Sequence, residues 1–370
     1  MRGRRALYTT YSSDQAPLNT PAKRLWFAVT VAGLIVLPFV VTTELSALFA
    51  TAFVSAVGAI GLNLVTGYAG QVSLGHAFFL GVGAYTAAVL GGETGRDVLG
   101  YGLDIWVWLP AAGIVCGVIG FAVAPIAARL KGLYLAIVTL GLVFVGEHVF
   151  REARFVTGGP GTGRAAARLT FLGERFDRRA TVGAVEITRE MKLYFLALAV
   201  LVILAVLSHN LTRSAVGRAL AAVRDRDIAA EVMGVGLLRH KVIAFGVSSF
   251  YAGIAGALLS TVTGFIEPGT YNLLLSVQFL AMVLIGGVAT LTGSLFGAAI
   301  VVLLPRLVQE LPRFLPFITG QSAGGLITTF QLQTLLYGVL IVVFLILEPR
   351  GLFGLWVRVR NYWRAWPFSY

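Results

Sequence analysis

The feature that most constrains this chain is a series of long stretches that contain no Asp, Glu, Lys or Arg. The two longest cover residues 45–92 and 268–305 and are 48 and 38 residues long. Shorter ones cover residues 25–43, 105–128, 132–146, 193–212, 242–266 and 314–347. About 20 apolar residues cross a bilayer as a helix, so the two longest stretches are predicted to hold two spans each and the others one each. The sequence therefore predicts an all-α fold, a polytopic integral membrane helical bundle of about ten transmembrane helices.

The composition agrees with this fold class. Hydrophobic residues make up 57% of the chain and charged residues only 12%, whereas an average soluble domain has about 25% charged residues. This excludes an ordinary soluble enzyme, a disordered chain and a nucleic-acid-binding module. The net charge of +12 is attributed instead to basic loops that face the cytoplasm and anionic membrane lipid.

The distribution of basic residues predicts the orientation. With the N-terminus inside, 17 of the 29 Lys and Arg residues fall on inner segments, which favours a multi-pass protein with both termini in the cytoplasm. Residues 151–192 are then outside although they are basic, and a re-entrant segment would reverse their side. Re-entrant segments would also lower the number of spans to eight or nine. The predicted parts are a cytoplasmic arm (1–24), a transmembrane domain (25–350) and a cytoplasmic tail (351–370).

One segment, residues 61–76, places glycines and hydrogen-bonding side chains between two apolar spans. Polar groups at membrane depth are costly, and irregular backbone is tolerated there only where it is buried in protein or lines water. The pattern predicts a broken helix that lines a translocation path; the alternative is a tight turn whose polar groups are satisfied internally. The candidate path residues are Asn63, Gly70, Gln71, Ser73, Gly75 and His76, with Ser276 and Gln278 in the second half of the chain.

A second segment, residues 210–241, is charged and rich in helix-forming residues. It predicts one or two short amphipathic helices on the inner face, which either rest on lipid headgroups or dock a cytosolic partner. Small side chains would allow a partner to approach closely, and flanking charges would set its register. The candidate residues of this coupling loop are Arg224, Asp225, Asp227, Ala229, Ala230, Glu231 and Gly234.

The sequence predicts no catalytic, cofactor-binding or metal-binding residue. Residues 158–165 read GGPGTGRA, which lacks the Lys and Ser/Thr of a phosphate-binding loop, so this segment is predicted to be a flexible, exposed loop. The single cysteine, Cys116, cannot form a disulfide or a multi-cysteine metal site. Acidic residues fall at the predicted span ends, which disfavours a proton-driven carrier. An intramembrane enzyme is disfavoured because no catalytic dyad is found.

Taken in order, several of these segments resemble the permease subunits of branched-chain amino acid ABC transporters, the LivH/LivM type and more closely LivM. The matching pieces include GYAGQVSLGH at residues 67–76, IAAEVMG at residues 228–234 and EPRGLFG at residues 348–354. The resemblance extends over residues 61–354. Importer permeases of this kind carry a cytoplasmic Glu-Ala-Ala-x-x-x-Gly loop that docks an ATPase. Here Ala229, Ala230 and Gly234 match that loop, and Ile228 stands at the Glu position.

The resemblance implies a permease subunit of an ATP-driven importer for branched-chain or related amino acids. It also implies a second, homologous permease, two ATPase subunits that carry the ATP and magnesium, and an extracytoplasmic substrate-binding protein. Permeases of the same family also serve urea and short amides, and the sequence does not discriminate among these substrates. A stand-alone secondary transporter or channel for a small polar solute is the alternative from another class. Whether the permease pair is a homodimer or a heterodimer stays open.

Overall fold

The computed structural model describes residues 21–365, except for residues 96–97, 131, 160, 162, 172–173, 176–179, 183–184, 311–317, 320–326 and 349. The predicted N-terminal arm, residues 1–24, therefore lies almost wholly outside the described residues, as do residues 366–370 of the predicted C-terminal tail. The first helix begins at Pro21, so Lys23 and Arg24 belong to it.

Helices dominate the described chain, and several begin at a side-chain cap. Thr42, Thr188 and Asn272 each accept a hydrogen bond from the backbone of the first helical turn, which satisfies an amide that has no partner inside the helix. The helices are α1 (Pro21–Val40), α2 (Thr43–Asn63), α3 (His76–Gly91), α4 (Ile105–Arg129), α5 (Leu133–Glu152), α6 (Arg154–Thr157), α7 (Arg189–Arg213), α8 (Ala215–Asp225), α9 (Asp227–Val232), α10 (Leu237–Thr263), α11 (Leu273–Gly286), α12 (Leu291–Glu310), α13 (Thr329–Leu347) and α14 (Gly351–Ala365).

Ten of these helices are apolar, in agreement with the predicted membrane bundle. Six are long and apolar enough to cross a membrane, namely α2 with its extension to Tyr68, α4, α5, α7, α10 and α12, and the shorter apolar helices lie within α1, α3, α11 and α13. Each of the two longest charge-free stretches holds two helices, as predicted. Because α3 and α11 have 16 and 14 residues, they span only about 24 and 21 Å, less than the roughly 30 Å of a bilayer core.

The centre of the bundle is α10, which packs against α4, α3 and α2. Glycines let these helices touch through their backbones. A Cβ at Gly83 of α3 would lie 2.6 Å from Cα of Gly253 on α10, and a Cβ at Gly256 would collide with the backbone of Leu80. Close backbone approach of this kind maximises van der Waals packing, which replaces the hydrophobic effect as the force between helices inside lipid.

Short strands occur only in the connections of the described chain. Strands β2 (Thr170–Phe171) and β3 (Glu174–Arg175) form one antiparallel pair, and β4 (Ala180–Val182) and β5 (Val185–Ile187) form another. Strand β1 (Arg164–Ala165) pairs antiparallel with the distant β6 (Phe265–Ile266), and β7 (Ile318–Thr319) pairs parallel with β8 (Ile327–Thr328).

The glycine-rich segment at residues 158–165 contains a buried arginine, so the prediction of an exposed loop is wrong for Arg164. Arg164 is only 4% exposed, and its guanidinium donates hydrogen bonds to the carbonyl oxygens of Val156 (2.5 Å), Ala88 (2.6 Å) and Leu99 (2.8 Å). Burial lowers the pKa of Arg164. The left-handed glycines before it, such as Gly158 and Gly163, turn the chain so that this cation reaches three segments. Arg164 thus ties the connections together at one end of the bundle.

Candidate translocation and coupling site

The predicted break between α2 and α3 is present. Beyond Asn63 the helix widens into a π-helical turn, Leu64–Tyr68, and the chain leaves helical geometry before α3 begins at His76. Gly70 has a φ of +68°, a left-handed conformation that glycine adopts without a steric penalty. An interrupted helix inside a membrane protein occurs where protein or water satisfies the freed backbone groups.

Asn63 connects this break to the second half of the chain. Its amide nitrogen donates hydrogen bonds to the carbonyl oxygen of Thr290 (3.0 Å) and to Oγ of Ser294 (2.8 Å). Its amide oxygen accepts from the backbone nitrogen of Ala289 at 2.8 Å. The side chain is fully buried, and its three hydrogen bonds join the end of α2 to the turn between α11 and α12 and to the start of α12. We call this set of hydrogen bonds the staple. Gly67 is required beside it, because a Cβ there would collide with Oδ1 of Asn63.

The stapled turn is itself strained. Ala289 has a φ of 59°, and it is the one non-glycine residue with a positive φ in the described part of the chain. A left-handed alanine costs about 1–2 kcal/mol, so neighbouring contacts must hold it. The hydrogen bond from Ala289 to Asn63 is one such contact, and it joins residues 226 positions apart in sequence.

The candidates around the start of α3 lie together, buried in the bundle. Oγ of Ser276 on α11 accepts a hydrogen bond from the backbone nitrogen of Ala77 at 2.9 Å, which satisfies one free amide of the first turn of α3. The His76 ring lies against Phe279, with ring centroids 5.0 Å apart. Ser73 accepts a hydrogen bond from the backbone nitrogen of Gly75. Gln278 is partly buried on the same helix as Ser276.

Three polar side chains of the broken segment have buried atoms without a hydrogen-bond partner among the described residues. These atoms are Oγ1 of Thr66, both amide heteroatoms of Gln71, and Nε2 of His76. Buried polar atoms are nearly always paired, and four of the nine unpaired buried side-chain atoms in the described part of the chain belong to this segment. Thr66 was not among the sequence candidates; its position in the π-helical turn becomes visible only in the structure.

A polar cavity of about 330 Å³ joins the two predicted groups of residues. It is lined by Gly70 and Gln71 from the break, by Arg224, Asp225 and Asp227 from the coupling loop, and by Lys241 from α10, together with Ala69, Leu130, Gly132, Leu135, Val223 and Arg226. A Cβ at Gly70 would lie only 3.2 Å from Cγ of Arg224. The break and the coupling loop are therefore in direct contact, which the sequence did not predict.

The coupling loop forms two short helices, as predicted, and its apolar residues divide between two surfaces. On α8, Leu220 and Val223 are buried, and Leu220 packs in a cluster with Ala69 of the broken segment and Ala244 of α10. The chain then bends at Arg226, which has extended backbone between the helices. Tyr68 at the end of the π-helical turn hydrogen-bonds Thr212 at the end of α7. The base of the loop is thus fixed to the bundle.

The second surface of the loop points away from the chain. Ile228, Val232 and Met233 on and after α9 are 73%, 82% and 83% exposed, whereas Ala230 between them is 5% exposed. Of the two candidate alanines, therefore, only Ala229 is available to a partner. We call the three exposed side chains the docking knob. Val232 lies four residues after Ile228, which is a helical spacing, but the sequence does not show which apolar residues are left uncovered.

Among the described residues there is no group of three or more His, Cys, Asp or Glu side chains that could hold a metal ion. Cys116 is buried in the helix core and donates a hydrogen bond to the carbonyl oxygen of Phe79. The interrupted helix itself supplies amide, hydroxyl and imidazole groups, and the adjoining cavity adds charged side chains, namely those of Arg224, Asp225, Arg226, Asp227 and Lys241.

Apolar helices around an interrupted helix, with a two-helix loop at one end, are features of a multi-pass membrane protein of the transport class. The model of the family described as the permease component of branched-chain amino acid transport systems matches residues 44–347. Because this match covers most of the chain, the chain belongs to that family.

Individual relatives agree with this family. The chain is 29% identical over 326 residues to the high-affinity branched-chain amino acid transport system permease protein LivM of Escherichia coli, covering 85% of this chain and 74% of the relative. It is 28% identical to LivM of Salmonella typhimurium, covering 90% and 76%. A more distant match is the fructose import permease protein FrcC of Rhizobium meliloti, 28% identical over 52% of this chain and 54% of the relative. No solved structure matches the chain.

Proposed function

We propose that this chain is the permease subunit of an ATP-driven importer for branched-chain or related amino acids in a bacterial cell membrane. It pairs with a second permease of the same kind to enclose the path, and both termini face the cytoplasm. Two ATPase subunits carry the ATP and magnesium, and an extracytoplasmic binding protein delivers the substrate. The observation that carries this proposal is the docking knob, which exposes apolar side chains on the loop that resembles an ATPase-docking loop.

The docking knob has the composition of a protein-binding surface. Ile228, Val232 and Met233 form an apolar centre, and the charged residues Arg224 and Glu231 lie close in sequence on the same exposed loop. Apolar centres with charged rims are typical of protein interfaces, where the centre supplies affinity and the rim sets register. The knob accordingly fits into an apolar groove on one ATPase subunit, and the second permease docks the other.

The contacts around Gly70 give a route from the ATPase to the path. When the ATPases close, they move α9, and the bend at Arg226 passes this motion to α8. Because Arg224 lies against Gly70 and Leu220 packs on Ala69, the motion reaches the broken segment directly. Packed helices move as rigid bodies between discrete arrangements, so displacement of the segment would open or close access to the polar cavity.

The unpaired atoms of Thr66, Gln71 and His76 are our proposed hydrogen-bonding groups for a substrate or its water shell. Ser73, Ser276 and Gln278 lie around the same segment, and Gly70 and Gly75 provide its flexibility. Asn63 has a different role in this proposal, since its donors are already used in the staple. The broken segment supplies amide, hydroxyl and imidazole groups, which suit brief contact with a zwitterionic amino acid, whereas the charged groups lie in the adjoining cavity.

The test is uptake of radiolabelled leucine, with the binding protein added outside, into liposomes that contain this chain and its permease partner, with or without the ATPases and internal ATP. We expect ATP-dependent uptake that Met233→Asp and Val232→Asp abolish, because truncating or charging an interface hot spot typically costs at least about 2 kcal/mol. That energy corresponds to roughly 30-fold weaker ATPase binding.

Two variants serve as matched controls. Met233→Leu keeps the apolar surface and should retain uptake. Tyr101→Asp charges a similarly exposed residue, 66% exposed, in the connection between α3 and α4, and should retain ATPase binding. Ion-driven uptake by this chain alone would refute the proposal in favour of a stand-alone carrier. ATP-dependent uptake of urea or a short amide, but not of leucine, would refute the proposed substrate class and keep the importer.

A further inference from the structure

The C-terminal helix α14 has one exposed apolar face. Its exposed apolar side chains are Leu355 (38%), Trp356 (62%), Val359 (50%), Tyr362 (59%) and Trp363 (70%). The last four lie one, four, seven and eight residues after Leu355, which places all five on one side of an α-helix. Asn361 lies opposite the stripe and is also exposed. We call the five exposed apolar side chains, from Leu355 to Trp363, the aromatic stripe.

The first turns of the helix are fixed to the bundle, so the stripe has a defined position. A Cβ at Gly351 would lie 2.7 Å from the backbone nitrogen of Gly287 in the turn between α11 and α12. The carboxylate of Glu348, 7% exposed, forms a salt bridge of 2.5 Å with Arg358. Gly351 has a φ of +63° and interrupts the helical path after α13. The helix therefore begins at Gly351, directly after the last apolar helix ends at Leu347.

The positive charge around this helix indicates which kind of partner covers its apolar face. After Glu348 the chain contains four arginines, Arg350, Arg358, Arg360 and Arg364, and no Asp or Glu up to its last residue. On a helix with 3.6 residues per turn, Arg358 and Arg360 flank the aromatic stripe on either side. Trp and Tyr concentrate at the membrane–water interface, and arginine next to them binds anionic headgroups. A water-exposed stripe of this size would otherwise favour aggregation.

We propose that α14 is an interfacial membrane anchor, with the aromatic stripe inserted at the headgroup level and Arg360 beside it bound to anionic lipid phosphates. The anchor fixes the chain end next to the turn at Gly287, and through Asn63 this turn is connected to the broken segment. The proposal depends on the chain being a membrane protein, and it holds whichever solute the chain transports.

The experiment places a spin label on each side of the helix in the full-length chain, reconstituted in liposomes containing anionic lipid. The label is attached to Val359→Cys on the stripe or to Asn361→Cys opposite it. The native Cys116 is buried, so the unsubstituted protein gives the labelling background. We expect the label at 359 to collide severalfold more with lipid-soluble oxygen than with a water-soluble nickel complex, and the label at 361 to show the reverse.

The second measurement repeats the collision experiment after the lipid charge or Arg360 has been removed. Zwitterionic liposomes, or Arg360→Gln in anionic liposomes, should shift the label at 359 towards water. Equal water accessibility of both labels in every lipid would overturn the proposal. Protection of position 359 that requires a partner subunit and ignores lipid charge would also overturn it and assign the stripe to a protein interface. Both labelled positions are exposed, and an unchanged thermal unfolding temperature checks that the variants fold.

Discussion

The staple formed by Asn63 gives the sharpest prediction, because one side chain joins the two halves of the chain. Replacing Asn63 with leucine keeps a similar volume but removes the hydrogen bonds to Thr290, Ser294 and Ala289. It also leaves the backbone nitrogen of Ala289 without the acceptor that helps to hold its left-handed conformation. The variant therefore tests whether this contact, made across more than 220 residues, holds the turn between α11 and α12.

The expected magnitude follows from the number of bonds. Side-chain hydrogen bonds between membrane helices average about 0.6 kcal/mol each and reach about 1.7 kcal/mol. Three lost bonds therefore cost roughly 2 kcal/mol, and an unsatisfied backbone N–H adds about 1 kcal/mol or more. We expect Asn63→Leu to lower the free energy of unfolding by roughly 2–4 kcal/mol. Adding Ala289→Gly should recover about 1 kcal/mol, because glycine removes the left-handed penalty.

The assay is reversible unfolding in mixed micelles, followed by circular dichroism. Ser46→Ala is the matched control, since Ser46 is also a fully buried polar residue of α2 but donates only to Thr42 in its own helical turn. Gly67→Ala should resemble Asn63→Leu, because the added Cβ displaces the Asn63 amide. If Asn63→Leu unfolds no more easily than Ser46→Ala, the staple contributes nothing and the argument fails.

Two further substitutions test the packing of the bundle and of its connections. Gly83→Val should lower the free energy of unfolding by about 1–3 kcal/mol through overpacking against Gly253. The control is Gly141→Ala, which has nothing within 4 Å of the new Cβ and should be neutral or stabilising in the same unfolding measurement. Equal effects of the two substitutions would contradict the close approach of α3 to α10. Arg164→Gln should release the connections that Arg164 holds, with a loss of about 2 kcal/mol or more from charged hydrogen bonds. Hydrogen exchange at Leu99 should then rise about 30-fold, and unchanged protection there would show that the arginine is not the tie.

The outline of the fold could be predicted because it depends on local composition. A stretch of 48 residues without a charged side chain must be removed from water, and only helices satisfy its backbone inside lipid. The break between α2 and α3 was equally visible, since glycines and polar residues interrupt an apolar stretch. The two helices of the coupling loop followed from the spacing of apolar and charged residues.

The roles of individual candidates could not be predicted in the same way. Asn63 was a candidate for the path, yet its donors are bound to a turn that lies far away in sequence. The glycine-rich segment at residues 158–165 looked like an exposed loop, because nothing in it shows that Arg164 meets the end of α3. In the coupling loop, Leu220 and Ile228 have the same apolar character, but only Leu220 is covered.

The sequence by itself therefore determined which parts of this chain form apolar helices and where these helices are interrupted. Hydropathy acts residue by residue over a single span, so it can be read without knowing the neighbours of that span. The tertiary structure alone decided which side chains meet, because the staple, the contact between Gly70 and Arg224 and the exposure of the docking knob depend on segments that are distant in sequence. Hydrogen bonds and packing are pairwise, and a linear sequence does not specify the pairs.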